Sequence, residues 1–376
     1  MDTTMRGHAR HIRLRRLMAA AIAAITPALV TVASVPAADA GVSGAEPNVS
    51  AIAATGSGSA NHWFSPDDRA PAPRTEAPVF VLYRGRISAF DAPEIGSNHF
   101  PRINNRGDVV GEYIKTNGTA AGGFLRDRRG RFTEIVYPGS FETYPLDIND
   151  RQEMVGNHRI AADGPLAGFQ RDRRGRFSTI HVPGAVQTQA YAINNRGQIV
   201  GDYTAADGTT HGYLWHNGRI TTIDGPINTG ATLTDINDRG QILGVYSTEP
   251  GTLSGFLLNR DRYTTIDHPD APYTIPLGIN THGDIVGSTF DALEGATAEA
   301  HGFLLSDGAD GPFTPIDISD AIVGTNATGI NDRGQIVGRY GNPNATTDQS
   351  APDMTRTNAG AIASQAPEMD DTLSDD

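Results

Sequence analysis

Guanidinium groups supply the densest chemistry in this 376-residue chain, and they recur at fixed places. Arg106, Arg151, Arg196, Arg239 and Arg333 each follow an Asn-(Asn/Asp) pair. A second set stands on later turns: Arg126, Arg128, Arg129, Arg131, Arg171, Arg173, Arg174, Arg176, Arg219, Arg260 and Arg262. A planar, permanently charged guanidinium grips carboxylate and sulfate in two-pronged fashion. The chemistry expected of these residues is therefore binding, with an acidic glycan, a cell-wall polymer or a surface protein as partner. The competing reading pairs each Arg with a neighbouring acid (Asp127, Asp150, Asp172, Asp238 or Asp332) and leaves a solvated, nearly neutral rim.

Other chemistries find less support. The Asx-rich stretches at Asp147–Asp150 and Asp235–Gly240 resemble calcium loops, but Arg151 and Arg239 sit inside them and no downstream acid follows. Of the histidines, only His211 and His301 occupy equivalent places, which makes no metal triad. No Gly-x-Ser-x-Gly elbow occurs. With no cysteine in the chain, disulfides, thiolate metal sites and a cysteine nucleophile are excluded. Paired carboxylates for polysaccharide hydrolysis or elimination remain the alternative, because Asp is abundant and loop tips can converge. No catalytic residue, cofactor or metal is assigned. A net charge of −13 argues against nucleic acid as a partner, since phosphate binding needs a positive surface.

What must position the arginines is a repeat. Ile-Asn-x-x-Gly-(Gln/Asp)-apolar-apolar-Gly begins at Ile103, Ile148, Ile193, Ile236, Ile279 and Ile330, at spacings of 45, 45, 43, 43 and 51 residues. Such periods belong to architectures in which each unit is one small sheet. Asn104, Asn149, Asn194, Asn237, Asn280 and Asn331 start a type I turn that Gly107, Gly197, Gly240, Gly283 and Gly334 close in the left-handed region. The second copy has Gln152 in the glycine place, which predicts a strained turn there. A later glycine in each copy (Gly111, Gly156, Gly201, Gly244, Gly287, Gly338) falls inside a strand, where crowding between wedge-shaped sheets near a common axis would require it.

Each unit reads as a meander of four short strands: the two flanking this turn, a Gly-aromatic strand such as Gly212-Tyr213, and a fourth such as Arg219–Asp224. The turn between strands one and two then shares a face with the turn between three and four, which gathers the arginines on one side. The other side receives acid-bearing loops at Asp163, Asp207, Glu249, Asp270, Asp291, Glu294 and Glu299. Six Ile-Asn elements stand against five Gly-aromatic ones. The missing pair of strands precedes the first unit, at Phe80–Tyr83 and Ile87–Asp91. A linear stack would leave both ends unpaired, whereas a ring lets the N-terminal strands complete the last sheet. The expected fold is all-β: a six-bladed β-propeller of four-stranded antiparallel blades closed in this way, with a β-solenoid as the alternative.

The Ile-Asn-Asp-Arg-Gly-Gln-Ile-Val-Gly element at 330–338, with His211-Gly212-Tyr213 and His301-Gly302-Phe303, resembles the bacterial extracellular HAF repeat family, named for a His-Ala-Phe signature. The resemblance covers about residues 79–340. It implies export and a propeller-like fold; it carries no activity and no catalytic residue.

Residues 1–40 have the form of a signal peptide. Arg10, Arg13, Arg15 and Arg16 precede an apolar run from Leu17 to Val35, and Ala38-Asp39-Ala40 offers a cleavage site. An uncleaved anchor helix is the alternative. Residues 41–78 read as a flexible linker, 79–340 as the repeat domain and 341–376 as a disordered acidic tail. The expectation is an extracellular, secreted, non-catalytic binding or structural module, monomeric, with no membrane span once the signal is removed.

Overall fold

The computed structural model describes residues 78–90, 99–114, 121–162, 164–227, 231–247, 253–291, 300–318 and 324–341. The signal segment, nearly all of the linker and tail, and Asp163, Glu249, Glu294 and Glu299 lie outside the described residues. Every regular element described is a strand. No helix among the described residues is long and apolar enough to cross a membrane.

In chain order the strands are β1 (Val79–Tyr83), β2 (Arg86–Phe90), β3 (His99–Ile103), β4 (Val109–Ile114), β5 (Ala121–Arg126) and β6 (Phe132–Ile135). The second unit is β7 (Glu142–Ile148), β8 (Met154–Arg159), β9 (Ala167–Arg171) and β10 (Phe177–Ile180). The third is β11 (Ala185–Ile193), β12 (Ile199–Ala205), β13 (Thr210–His216) and β14 (Arg219–Ile223). Then follow β15 (Thr232–Ile236), β16 (Ile242–Tyr246), β17 (Ser254–Asn259) and β18 (Arg262–Ile266). The last are β19 (Tyr273–Ile279), β20 (Ile285–Phe290), β21 (Ala300–Leu305), β22 (Phe313–Ile316), β23 (Thr325–Ile330) and β24 (Ile336–Tyr340).

Within a unit, successive strands pair antiparallel. Four sheets are separate four-stranded blades: β3–β6, β15–β18, β19–β22, and the composite β2-β1-β24-β23. In the composite sheet Phe80 lies opposite Gly338, so the two ends of the domain meet as expected and the solenoid is excluded. The expectation of six separate sheets needs correction, because units two and three share one eight-stranded sheet. A single parallel pair, Thr188 with Ala167, joins β11 to β9. The small residues there let the backbones close up: a Cβ on Gly168 would lie 3.3 Å from Ala190 N. The same contact at Leu253–Tyr273 and Ala300–Gly324 falls outside the strands and leaves those sheets separate.

The strand glycines do mark a close backbone approach, but the crowding arises within each sheet and not between sheets. Gly111, Gly156, Gly201, Gly244, Gly287 and Gly338 lie directly opposite Phe124, Phe169, Tyr213, Phe256, Phe303 and Phe80 of the next strand. All six rings are buried. On the other side, a Cβ on Gly156, Gly201, Gly287 or Gly338 would strike the carbonyl oxygen of Tyr144, Gln189, Ile275 or Asn326. The first strand of each unit carries a register shift close to this point. Bulge and aromatic ring, both within one sheet, leave room only for hydrogen.

The turns follow expectation. Gly107, Gly197, Gly240, Gly283 and Gly334 have φ between +70° and +102°, and Gln152 is held at +60°, a conformation that costs a side chain about 1 kcal/mol or more.

Candidate functional site

The Asn of each turn does more than shape it. Its Oδ1 accepts N–H bonds from its own turn, as from Arg196 and Gln198 onto Asn194, both at 3.0 Å. Its Nδ2 reaches the next unit. Asn104 donates to Asn149 O at 3.1 Å, Asn149 to Asn194 O at 3.2 Å and Asn194 to Asn237 O at 2.9 Å. Asn237 donates to Asn280 O at 2.8 Å, Asn280 to Asn331 O at 3.4 Å and Asn331 back to Asn104 O at 2.9 Å. Six buried asparagines thus close a circle, a role the turn reading of the sequence had missed.

The next residue of each turn forms a second, outer circle: Asn105, Asp150, Asn195, Asp238, Thr281 and Asp332. The N–H of Asn105 donates to Asp150, that of Asp150 to Asn195, and that of Asn195 to Asp238, at 2.7–2.8 Å. Thr281 N–H donates to Asp332, and Asp332 N–H to Asn105, both at 2.7 Å. Only the Asp238–Thr281 step lacks the bond, because a threonine side chain is one atom too short to present an amide oxygen. Thr281→Asn should complete this circle and raise stability by about 1 kcal/mol, the usual worth of one net hydrogen bond. Urea unfolding at pH 7 measures it, and an unchanged or lowered midpoint would contradict the geometry.

Inside these circles an open basin lies on the axis. Asp150, Asp238 and Asp332 line its mouth, and Arg102, Asp147 and Asp235 lie deeper. These last three stand two residues before the turn Asn in units one, two and four, where units five and six have Gly278 and Gly329. Arg102 crosses the ring to the opposite unit. Its guanidinium donates to Thr234 O at 2.9 Å and to Leu277 O, and lies 3.5 Å from Asp235. A Cβ on Gly329 would sit 3.3 Å from Arg102 Cδ, so glycine clears the path. Asp147 accepts N–H bonds from Ile148 and Ile193, and Asp235 from Ile236 and Ile279, tying each unit to the next. Burial pushes both carboxyls above their ordinary value, and Arg102 draws them back.

At the mouth, Asn195 Nδ2 donates to Asp150 and Asp238, both at 2.8 Å, and Asn105 Nδ2 bridges Asp150 and Asp332 at 2.9 and 2.8 Å. Three carboxylates therefore converge there, each committed to backbone or amide donors. For Asp332, burial acts to raise the pKa, but donors from Thr281 and Asn105 outweigh it and hold the group below its ordinary value.

Farther from the basin, Asp202 is buried beside Gln189 and Tyr191, whose donors reach it at 3.1 Å. Burial raises its pKa from 3.8 to about 6 against those donors. Below pH 4 the group is neutral folded or unfolded; above pH 6 the folded chain must hold a buried charge. Stability should fall by about 3 kcal/mol from this group as pH rises through that window. Asp202→Asn should therefore gain on the native chain at pH 8 but not at pH 4; equal differences at both would refute it.

The arginines of unit one stand on adjacent turns, since the Arg128 N–H donates to Asp108 beside the first Ile-Asn turn. The partners of the Ile-Asn-turn arginines divide by a rule legible in the sequence. Where an acid follows the glycine position, the Arg is paired: Arg106 with Asp108 at 3.6 Å and Arg151 with Glu153 at 2.9 Å. Where Gln198, Gln241 or Gln335 follows, the exposed Arg196, Arg239 and Arg333 have no acid within ion-pair reach among the described residues. Asp127 and Asp172 pair with Arg131 and Arg176 at 2.7 Å. The neutral-rim reading fails for Asp150, Asp238 and Asp332, which turn inward to the circle instead.

His211 and His301 place Nδ1 2.6 and 3.5 Å from Asp224 and Asp317, each directly after the fourth strand of its own unit, and Ser254 donates to Asp267 in the same position at 3.1 Å. These contacts pin strand four to strand three. Among the described residues no cluster of three or more His, Cys, Asp or Glu could hold a metal ion.

No protein-family model matches the chain, and no curated protein does. Among solved structures, a TolB candidate from Agrobacterium tumefaciens superposes with a TM-score of 0.55 at 9% identity, over 71% of this chain and 98% of that one. The fold is that of a β-propeller. TolB from Acinetobacter baumannii follows with a TM-score of 0.46 at 11% identity, over 72% of this chain and 66% of that one. At such identities the likeness concerns fold alone, and the chain is, to that extent, a propeller module.

Proposed function

We propose that this propeller is an exported, non-catalytic binding module of the HAF repeat class, acting outside the cell on acidic glycans or cell-wall polymers. In this reading it has six blades, the eight-stranded sheet counting as two, because six equivalent asparagines make one circle. Arg196, Arg239 and Arg333 carry the reading: exposed guanidiniums without acid partners among the described residues, each on a turn of the asparagine circle. An unpaired guanidinium gives up no existing ion pair when it takes a ligand carboxylate, whereas Arg106 and Arg151 must first release Asp108 and Glu153.

The test is retention of residues 41–376 on immobilised polygalacturonate over a salt gradient. Arg196, Arg239 and Arg333 changed together to Ser should elute at much lower salt, by screening and charge loss. Changing Arg106 and Arg151 should matter far less. Elution of the triple variant with the native chain would reject the reading, as would a native chain that is not retained.

Cleavage of a polysaccharide at the mouth is the second reading, favoured by the convergence of Asp150 with Asp238 and Asp332. Against it, those carboxylates already accept the bonds that hold neighbouring turns together, and Asp332 is held below its ordinary pKa, the wrong direction for a proton donor. New chain ends appearing in polygalacturonate incubated with the purified protein would put this reading first.

A further inference from the structure

Two neighbouring units carry the same hexapeptide, Arg-Asp-Arg-Arg-Gly-Arg, at 126–131 and 171–176. Both turns are built alike. Asp127 Oδ1 accepts the N–H groups of Arg129 and Arg131 at 2.9 Å, and its Oδ2 takes the Arg131 guanidinium at 2.8 and 2.7 Å. Asp172 does the same with Arg174 and Arg176, with 2.9 Å to the N–H groups and 2.7 Å to each guanidinium nitrogen. Arg126 lies over the Phe90 ring at 4.3 Å and Arg171 over Phe177 at 5.8 Å. Of four arginines in each turn, one is therefore stacked and one is paired. The other two, Arg128 with Arg129 and Arg173 with Arg174, are exposed and have no acid partner among the described residues.

The first of these turns is also tied to the second unit. Asp108 accepts the Arg128 N–H at 3.2 Å and, through its other oxygen, Gln152 Nε2 of the second unit at 3.1 Å. The first arginine turn is thereby anchored to the Ile-Asn turn of its neighbour. Loop ordering, a common cost of binding by surface turns, is largely met before any ligand arrives.

We propose that the twin turns form a two-step ledge on which Arg128–Arg129 and Arg173–Arg174 hold successive anionic residues of one linear acidic polysaccharide. A small anion would use one turn; the same geometry offered twice, side by side, suits a ligand that itself repeats. A single-stranded nucleic acid suits the surroundings less, because such strands are held by bases stacking on aromatic rings, and the rings beside these turns, Phe90 and Phe177, already lie under Arg126 and Arg171. This ledge rests on the glycan-binding reading above and adds a second grip to that of Arg196, Arg239 and Arg333.

Calorimetric titration of residues 41–376 with oligogalacturonates of two lengths tests it, one able to reach a single turn and one able to span both. The longer oligomer should bind at least tenfold tighter, because the second contact is made intramolecularly. Changing Arg128 and Arg129 to Ser should erase that length dependence while leaving single-turn affinity. Changing all four arginines should reduce long-oligomer affinity at least tenfold. All four side chains are exposed, and unchanged thermal midpoints would show that the fold persists. If the four-arginine variant binds the long oligomer as the native chain does while the Arg196, Arg239, Arg333 variant is weakened, the ledge is wrong and the broader reading stands. If the native chain binds neither oligomer, both fall. If single-stranded DNA binds as tightly and the four substitutions abolish that binding, the polysaccharide assignment is overturned.

Discussion

Arg102→Met should lower the unfolding free energy by about 3–5 kcal/mol at pH 8, the usual penalty for stranding a buried charge. Arg102 is the one cation set among Asp147 and Asp235, both of which line the axis with little solvent access. Its guanidinium also satisfies the bulge carbonyls of Thr234 and Leu277, which would otherwise face the axis without a donor. Burial already lifts both carboxyls above their ordinary value, and losing Arg102 lifts them further. A group whose folded pKa is raised costs nothing once it is protonated in both states, so the defect should be largest at pH 8 and shrink steadily toward pH 4. Urea unfolding across that range measures it. A defect independent of pH would mean that Arg102 acts by packing and not by charge. Combining the change with Asp147→Asn and Asp235→Asn should recover part of the loss at pH 8, since none of these three positions then holds a buried charge. The recovery stays incomplete because each Asp uses both oxygens to accept backbone N–H bonds and an amide offers only one.

The repeat made the fold legible, and the reason is local. Asn-x-x-Gly turns, Gly-aromatic strands and β-branched runs each state their conformation within a few residues. The ring could also be read, from a count: six Ile-Asn elements against five Gly-aromatic ones left one orphan pair at each end. What escaped was anything set by contacts between units. Asn104 looked like an ordinary turn residue because half of its side chain does ordinary turn work; the other half, reaching Asn149, is visible only when the next unit is in place. Asp147 and Asp235 entered only as parts of stretches resembling calcium loops, and Arg102 drew no reading, since nothing in a linear sequence says that units one and four face each other across an axis. The strand glycines were recognised as crowded but for the wrong reason, because the ring opposite Gly111 lies thirteen residues along the chain at Phe124. The merged sheet of units two and three rests on the single pair of Thr188 with Ala167, a contact between units that neither segment states by itself. The arginine rule was present in the letters all along. The residue after the turn glycine, acid or glutamine, sorts paired from unpaired guanidiniums, but only the geometry showed that this neighbour, and not the Asp preceding the Arg, is within reach.

Removing β1 and β2 should unfold the domain. β1 is an inner strand of the composite sheet, bonded on one side to β2 and on the other to β24. Val79, Phe80 and Leu82 are buried there, each contributing about 1.5–3 kcal/mol by leaving water, and together they rival the 5–15 kcal/mol that holds a typical domain folded. Truncation would also strip the Phe80 ring from Gly338 and leave β24 as a bare hydrophobic edge open to aggregation. A chain starting at Asp91 should therefore lack a cooperative unfolding transition, while a peptide of residues 78–91 added in excess should restore it, since the strands join through backbone pairing and not through chain continuity. Phe80→Ala in the intact chain gives a milder version, expected to cost about 3–5 kcal/mol through the cavity against Gly338 and Tyr340. A truncated chain that melts like the native one would mean the circle of asparagines alone can hold the ring shut. Six bonds of about 1 kcal/mol each, strung around a circumference already open at one seam, are too few for that.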